Sequence, residues 1–229
     1  MRFPPSIASL LLLAVAAACG SDSSTACCAT AQESLRVINA FTTPVDVLVD
    51  GAVVIPALAP ASIDTAAPAS GSHTLVLRPV GPGVAQTRSI TSTPGALSTV
   101  AAVRSSSGGL GSAVLDDTNS VVPAGATKVR VLHLAPNAGT LQVYRTQPDF
   151  QTPISWQFPF NYQPDPTSLT APFLQSTVGT WEIRVWQTPA DSTGWTNAPL
   201  RITLQLRSGE KKTVLILDKP GGGLRLETL

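Results

Sequence analysis

The sequence is poor in reactive side chains: 229 residues hold three cysteines, two histidines and one methionine, and only 13% are charged. Two of the cysteines, Cys27 and Cys28, are adjacent, and neighbouring side chains diverge too far for an unstrained bridge. No disulfide framework or zinc spacing remains. No serine stands in a nucleophile elbow, and no glycine-rich phosphate loop leads into a helix. An enzyme is therefore not expected, nor a cofactor, nor a metal site. After the first residues no useful helical period appears, which excludes a helical body. Once Arg2 is set aside, 14 basic and 14 acidic residues balance. A neutral chain lacks the cationic face that nucleic acid requires, so no nucleic-acid partner is expected.

What is present begins at the N-terminus. "MRFPPSIASLLLLAVAAAC" sets Arg2 ahead of an apolar run from Ile7 to Ala18, too short to span a bilayer and shaped like a secretory signal. Ala16, Ala17 and Ala18 lead directly to Cys19, and this resembles the lipobox of bacterial lipoproteins, with Ala16 where Leu is usual. The resemblance implies cleavage before Cys19 and acyl chains on its thiol and new amine, an anchor strengthened by about 0.8 kcal/mol per buried methylene. Residues 1–18 are read as the signal peptide and 19–34, rich in small polar residues, as a flexible tether. Gly20 follows the lipidated position where an inner-membrane retention signal would have Asp, so the expected place is the cell envelope, at the outer membrane on its periplasmic or surface face.

The remainder repeats. "LRVINAF" from Leu35 resembles "VRVLHLA" from Val129, "GSHTLVL" from Gly71 answers "GTWEIRV" from Gly179, and "PGALSTVAAV" from Pro94 matches "SGEKKTVLIL" from Ser208. The pairs fall in one order, so the chain is a duplication. Within each copy apolar residues alternate over short runs bounded by turn formers. Val45, Val47 and Val49 oppose Asp46 and Asp50; Trp181, Ile183 and Val185 oppose Glu182, Arg184 and Trp186; Ile202, Leu204 and Leu206 oppose Arg201, Thr203, Gln205 and Arg207. Period two predicts antiparallel sheets with one buried face each. The expected fold is all-β: two tandem antiparallel β-sandwiches, immunoglobulin-like, each of six or seven strands. The predicted boundaries are 35–117 for the first, 118–127 for a linker, and 128–229 for the second.

"LRVINAFTTPVDVLVDG", "GSHTLVL" and "GALSTVAAV" are similar to the bacterial domain of unknown function 4397, which the resemblance implies occurs in tandem on exported lipoproteins. In the second copy the strand "LQVYR" has Gln142 and Arg145 where the first has paired aspartates. The family supplies no catalytic residues to carry over.

Candidate chemistry is correspondingly sparse. His73 and His133 occupy non-equivalent places in the repeats and are read as structural, and Asp46 and Asp50, four apart on one strand face, are too distant to share a metal ion. Asp116 and Asp117 would point to opposite sides of an extended chain. The one anomaly is aromatic. Of twelve aromatic residues ten lie between Tyr144 and Trp195, where 33 residues separate Arg145 from Gly179 against 20 between Asp50 and Gly71. In "ISWQFPFNYQP" the residues Trp156, Phe158, Phe160 and Tyr162 recur at every second position, and Pro159 marks an edge strand. Four such rings left bare exceed the apolar patch a soluble monomer tolerates, about 400 Å². Their cover is the second copy's own core, the first copy, a lipid surface or a ligand. The expectation is a non-catalytic envelope lipoprotein, a structural or protein-interaction module with this row as its candidate binding surface. The alternative is a glycan-binding module of the cell surface, with rings spaced to stack on a polysaccharide. Its partners are a membrane, through the lipid, and an envelope protein or polysaccharide.

Overall fold

The computed structural model describes residues 34–93, 95–115, 121–146, 154–160, 162, 168–169, 171–187, 198 and 200–229. The signal, the tether with Cys19, Cys27 and Cys28, the start of the linker, and Asp116 and Asp117 lie outside the described residues. So do the side chains of Trp156, Phe158 and Phe160.

The described chain is all-β. Its first part contains β1 (Ser34–Asn39), β2 (Val45–Val49), β3 (Ala52–Leu58), β4 (Ser62–Ala66), β5 (Gly71–Pro79), β6 (Gln86–Ser92), β7 (Leu97–Arg104) and β8 (Leu110–Leu115). Its second part contains β9 (Ala126–His133), β10 (Leu141–Thr146), β11 (Ile154–Phe160), β12 (Ser168–Leu169), β13 (Leu174–Thr177), β14 (Gly179–Gln187), β15 (Leu200–Leu206), β16 (Lys211–Asp218) and β17 (Leu224–Thr228). Eight strands and nine thus replace the expected six or seven. The additions come from short edge strands with weak alternation, such as β4, and from the two-residue β12 in the longer second copy.

Each part builds two sheets in the same order. An outer sheet runs β3-β2-β5-β6 in the first part and β11-β10-β14-β15 in the second. An inner sheet runs β4-β1-β7-β8 and β13-β9-β16-β17 respectively, with β12 added beyond β8. Equivalent strands also share their burial: β6 and β15 alternate identically, and β7 and β16 each bury the same five consecutive positions. The turn between β2 and β3 is Asp50–Gly51, with φ of 49° and 85°, the left-handed pair that a two-residue hairpin needs to match strand twist.

Two expectations about the sheets are corrected. The inner sheets are mixed, because β1 pairs parallel with β7, β9 with β16, and β12 with β8. The chain leaves β1 or β9 for the outer sheet and returns strands later, so no hairpin forces the neighbours to run oppositely. Nor do the inner sheets have one wet face. Val37, Val100 and Ala102 pack with Val45, Val47 and Leu75 in the first sandwich core, and Val131, Val214 and Ile216 pack with Val143, Ile183 and Leu204 in the second. Between them the opposite faces form a third core, in which Ile38, Ala101, Val103, Ala113 and Leu115 meet Leu132, Leu134, Leu215 and Leu217. Near-continuous apolar runs such as "TVLIL" are the sequence mark of strands buried on both sides.

The second face of β14 is also dry. Glu182, Arg184 and Trp186 are all buried, although alternation assigned them to solvent. Trp186 stacks on Tyr144 with ring centroids 4.5 Å apart, and Arg184 Nε donates to Glu182 Oε1, so the charges neutralise each other at close range. In β15 the alternation holds, with Leu204 and Leu206 buried and Arg201, Thr203 and Gln205 exposed.

Strand β11 is the edge of its sheet, the place expected from Pro159. Its pairing with β10 slips: Phe160 lies opposite Leu141, and Gln157 opposite Val143. Three steps on β11 therefore match two on β10, so strict alternation does not run through the aromatic strand. The first copy has the same irregularity, Leu58 opposite Val45 and Ile55 opposite Val47. There Ala57 takes a φ of 45°, and its freed N–H donates to Asp46 Oδ1 at 2.9 Å.

Candidate functional site at the junction of the two sandwiches

Asn39 ends β1 and His133 ends β9, at equivalent positions of the two inner sheets. They perform the same task. Asn39 Oδ1 accepts from the Phe41 N–H at 2.9 Å while its amide donates to the carbonyls of Thr43 and Leu58. His133 Nδ1 accepts from the Ala135 N–H at 3.2 Å, which leaves the proton on Nε2 to be donated to the Gly139 carbonyl at 2.8 Å. Each side chain folds the following loop back on its strand. Burial holds the imidazole below its ordinary pKa, against the opposing pull of the Gly139 carbonyl and Asp218.

Arg104 and Asp218 close β7 and β16, again at equivalent positions, and both grip one residue of the loop that His133 shapes. Arg104 Nη1 donates to Asn137 Oδ1 at 3.1 Å, while the Asn137 amide donates to Asp218 Oδ2 at 2.9 Å and its backbone N–H at 3.2 Å. Burial is the largest influence on the Asp218 carboxyl and raises its pKa, with the two Asn137 bonds acting the other way. The Tyr162 hydroxyl donates to the Arg104 carbonyl, and its ring meets His133 edge-on at 6.0 Å. Arg104 thus joins the first sandwich to the second.

Beside this network opens a cleft of about 430 Å³, lined by Phe41, Thr42, Asn137, Asp218, Lys219 and the glycines of the β16–β17 turn. Gly221, Gly222 and Gly223 have φ of 85°, 105° and 82°, so "PGGGL" is a turn that needs glycine, as its composition predicts. The cleft offers hydrogen-bonding groups of both kinds and one aromatic ring.

The other predicted residues are distributed differently. Tyr162 belongs to the junction, where its hydroxyl donates to the Arg104 carbonyl, while the side chains of Trp156, Phe158 and Phe160 lie outside the described residues. Asp46 and Asp50 do not share a strand face, because Asp50 lies in the turn after β2 with a left-handed φ. Arg78 Nη2 donates to Asp46 Oδ2 at 2.8 Å, and the Asp50 carboxylate takes His73 Nδ1 at 2.7 Å and the Thr74 N–H at 2.8 Å. Those hydrogen bonds hold both carboxyls below the usual carboxylate range, the side-chain partner being the larger cause in each. His73 is a fastener for the hairpin turn. Among the described residues no group of three metal-ligating side chains occurs. Sequence reading missed Arg104, Asn137 and Asp218. Arg104 and Asp218 follow the matched strands "TVAAV" and "TVLIL" directly, so extending the repeat alignment by one residue pairs them.

Residues 33–144 match the family described as Domain of unknown function (DUF4397). The similarity to this family covers just under half of the chain. The DUF4397 match starts one residue before β1 and ends within β10, so it takes in the first sandwich and crosses the junction through His133 and Asn137. No curated protein matches the chain. Among solved structures it is similar to one described as "Alpha-glucan recognition by family 41 carbohydrate-binding modules from streptococcal virulence factors", at 11% identity and a TM-score of 0.28, covering 85% of this chain and 96% of that one.

The equivalence of Asn39 and His133 makes a pH prediction for the junction. A histidine whose folded pKa lies below 6.5 contributes stability that is present above that value and is lost as pH falls through it. Thermal stability should therefore decline between about pH 7 and pH 5, and His133→Asn, which keeps a donor and an acceptor, should flatten that limb. An unchanged slope in the variant would assign the acid sensitivity elsewhere.

Proposed function

We propose that this chain is a non-catalytic lipoprotein of the cell envelope, held at the outer membrane by acyl chains on Cys19 and acting as a structural or protein-interaction module. The observation that carries this reading is how its titratable groups are spent. His133 holds a loop through both ring nitrogens, His73 secures a hairpin turn, and Arg104 and Asp218 grip the same asparagine. Side chains that acid–base chemistry would recruit are committed to geometry. The signal-like leader, the small residues before Cys19 and Gly20 after it support the envelope location.

A second reading, a glycan-binding module, draws support from the junction cleft, where Phe41 stands beside Thr42, Asn137 and Asp218, a ring with hydrogen-bonding groups around it. Cell fractionation tests the anchor. Cys19→Ser should move the protein from the membrane fraction to the soluble fraction, and retention in the membrane would reject lipidation at that residue. Crosslinking of the anchored protein to envelope proteins favours the interaction module, whereas a change in tryptophan emission on titration with envelope polysaccharide favours the glycan module.

A further inference from the structure

The repeat allows one half to be read against the other at the free edge of each inner sheet. In a strand paired on one side only, alternate residues turn their N–H and C=O groups outward. On β8 these are Leu110, Ser112 and Val114, because the Ser105 N–H donates to the Gly109 carbonyl and so sets the alternation from the β7–β8 turn onward. In the first half this edge is covered. Arg88 reaches across from β6, its Nη2 donating to the Ser112 carbonyl and its Nε to the Ser112 hydroxyl, and β12 pairs parallel with Val114 and Leu115.

The equivalent edge of the second half is β17, where Leu224, Leu226 and Thr228 turn outward because Leu229 and Thr213 exchange both backbone bonds. Among the described residues no strand pairs with β17 on that side. Arg88 is replaced at its equivalent position by Ile202, and Ser112 by Leu226, so the polar bridge is gone. In its place lies a groove of about 580 Å³ between β15 and β17, with an apolar floor of Leu200, Ile202, Leu224 and Leu226 and a rim of Arg201, Lys219 and Arg225. Arg225 is paired with Glu227, while Arg201 and Lys219 have no acidic partner among the described residues.

We propose that the β17 edge and this groove receive an extended acidic segment of another protein, added parallel to β17 as β12 is added to β8. Outward backbone groups give such a strand its bonds, and alternate side chains enter the apolar floor. The cationic rim selects carboxylates on the remaining positions. It also disfavours a symmetric β17–β17 dimer, which would bring the same cations together. The inference rests on the protein-interaction reading and names its contact surface.

The test uses the mature chain and an acetylated, amidated heptapeptide alternating Glu and Val, with a Lys–Val version and a backbone N-methylated version as controls. The Glu peptide should bind saturably by fluorescence polarisation and protect the Leu226 and Thr228 amides from exchange. Thr228→Pro removes an outward N–H at an exposed position and leaves the β16 ladder intact, so it should weaken binding at least about tenfold with an unchanged melting temperature. Arg201→Glu with Lys219→Glu should transfer preference to the Lys peptide. Absence of saturable binding, equal binding of the N-methylated peptide, or concentration-dependent dimerisation through β17 would each overturn the proposal. The Cys19→Ser experiment is independent: its failure removes the anchor and leaves the edge, and the reverse holds for the peptide.

Discussion

Leu217→Asp is expected to unfold both sandwiches together. Leu217 is fully buried in the core shared by the two inner sheets, on the β16 face that meets Ala101, Val103 and Leu115. Removing a buried leucine costs about 2–5 kcal/mol through lost transfer energy and the cavity left behind. An unpaired carboxylate at the same place adds about 3 kcal/mol or more, since nothing apolar around it replaces water. The sum approaches the whole stability of a typical domain, about 5–15 kcal/mol. Leu217→Ala, which omits the charge, should lower the melting temperature and keep a single transition. Circular dichroism and tryptophan emission followed through one thermal melt check this, because every tryptophan lies in the second half. If the sheet signal splits and one part melts at the wild-type temperature, the shared core does not couple the halves.

That core explains which parts of the fold were legible. Alternation identifies strands with one dry face, and β15 follows it residue by residue. It is silent about β7 and β16, where five consecutive residues are buried, because a run such as "TVAAV" or "TVLIL" has no period to assign to a side. The run itself was the signal. The junction was legible only through the repeat. Neither Arg104 nor Asp218 looks functional alone, and their common grip on Asn137 appears only when the ends of β7 and β16 are set side by side. Charge patterning misled at Glu182 and Arg184, which satisfy each other and so can leave water. Within the aromatic-rich segment, the ring and hydroxyl of Tyr162 tie the second sandwich to the first. β12, from the same longer segment, extends the sheet of the first half.

The second large effect is expected at Arg130, the largest of the fully buried side chains among the described residues. It opens the phrase "RVLHLA" on the same face of β9 as Leu132 and Leu134, toward the shared core. Its Nε donates to Thr213 Oγ1 at 3.0 Å, and its guanidinium lies 4.4 Å from the Phe173 ring centroid. Arg130→Ala should destabilise the chain by about 3–5 kcal/mol, because it empties a large buried volume and leaves the Thr213 hydroxyl without that donor. Arg130→Met fills most of the volume with apolar atoms and should cost much less, as replacement of a buried charge by a well-packed apolar chain often does. The first half supplies the control. Thr99 is equivalent to Thr213, and its buried hydroxyl has no partner among the described residues, so Thr99→Val should cost little while Thr213→Val loses the bond to Arg130. Denaturant titration of the four variants checks the order. Equal losses for Ala and Met at position 130 would mean that the guanidinium's hydrogen bonds and ring contact, more than its volume, hold this strand in place.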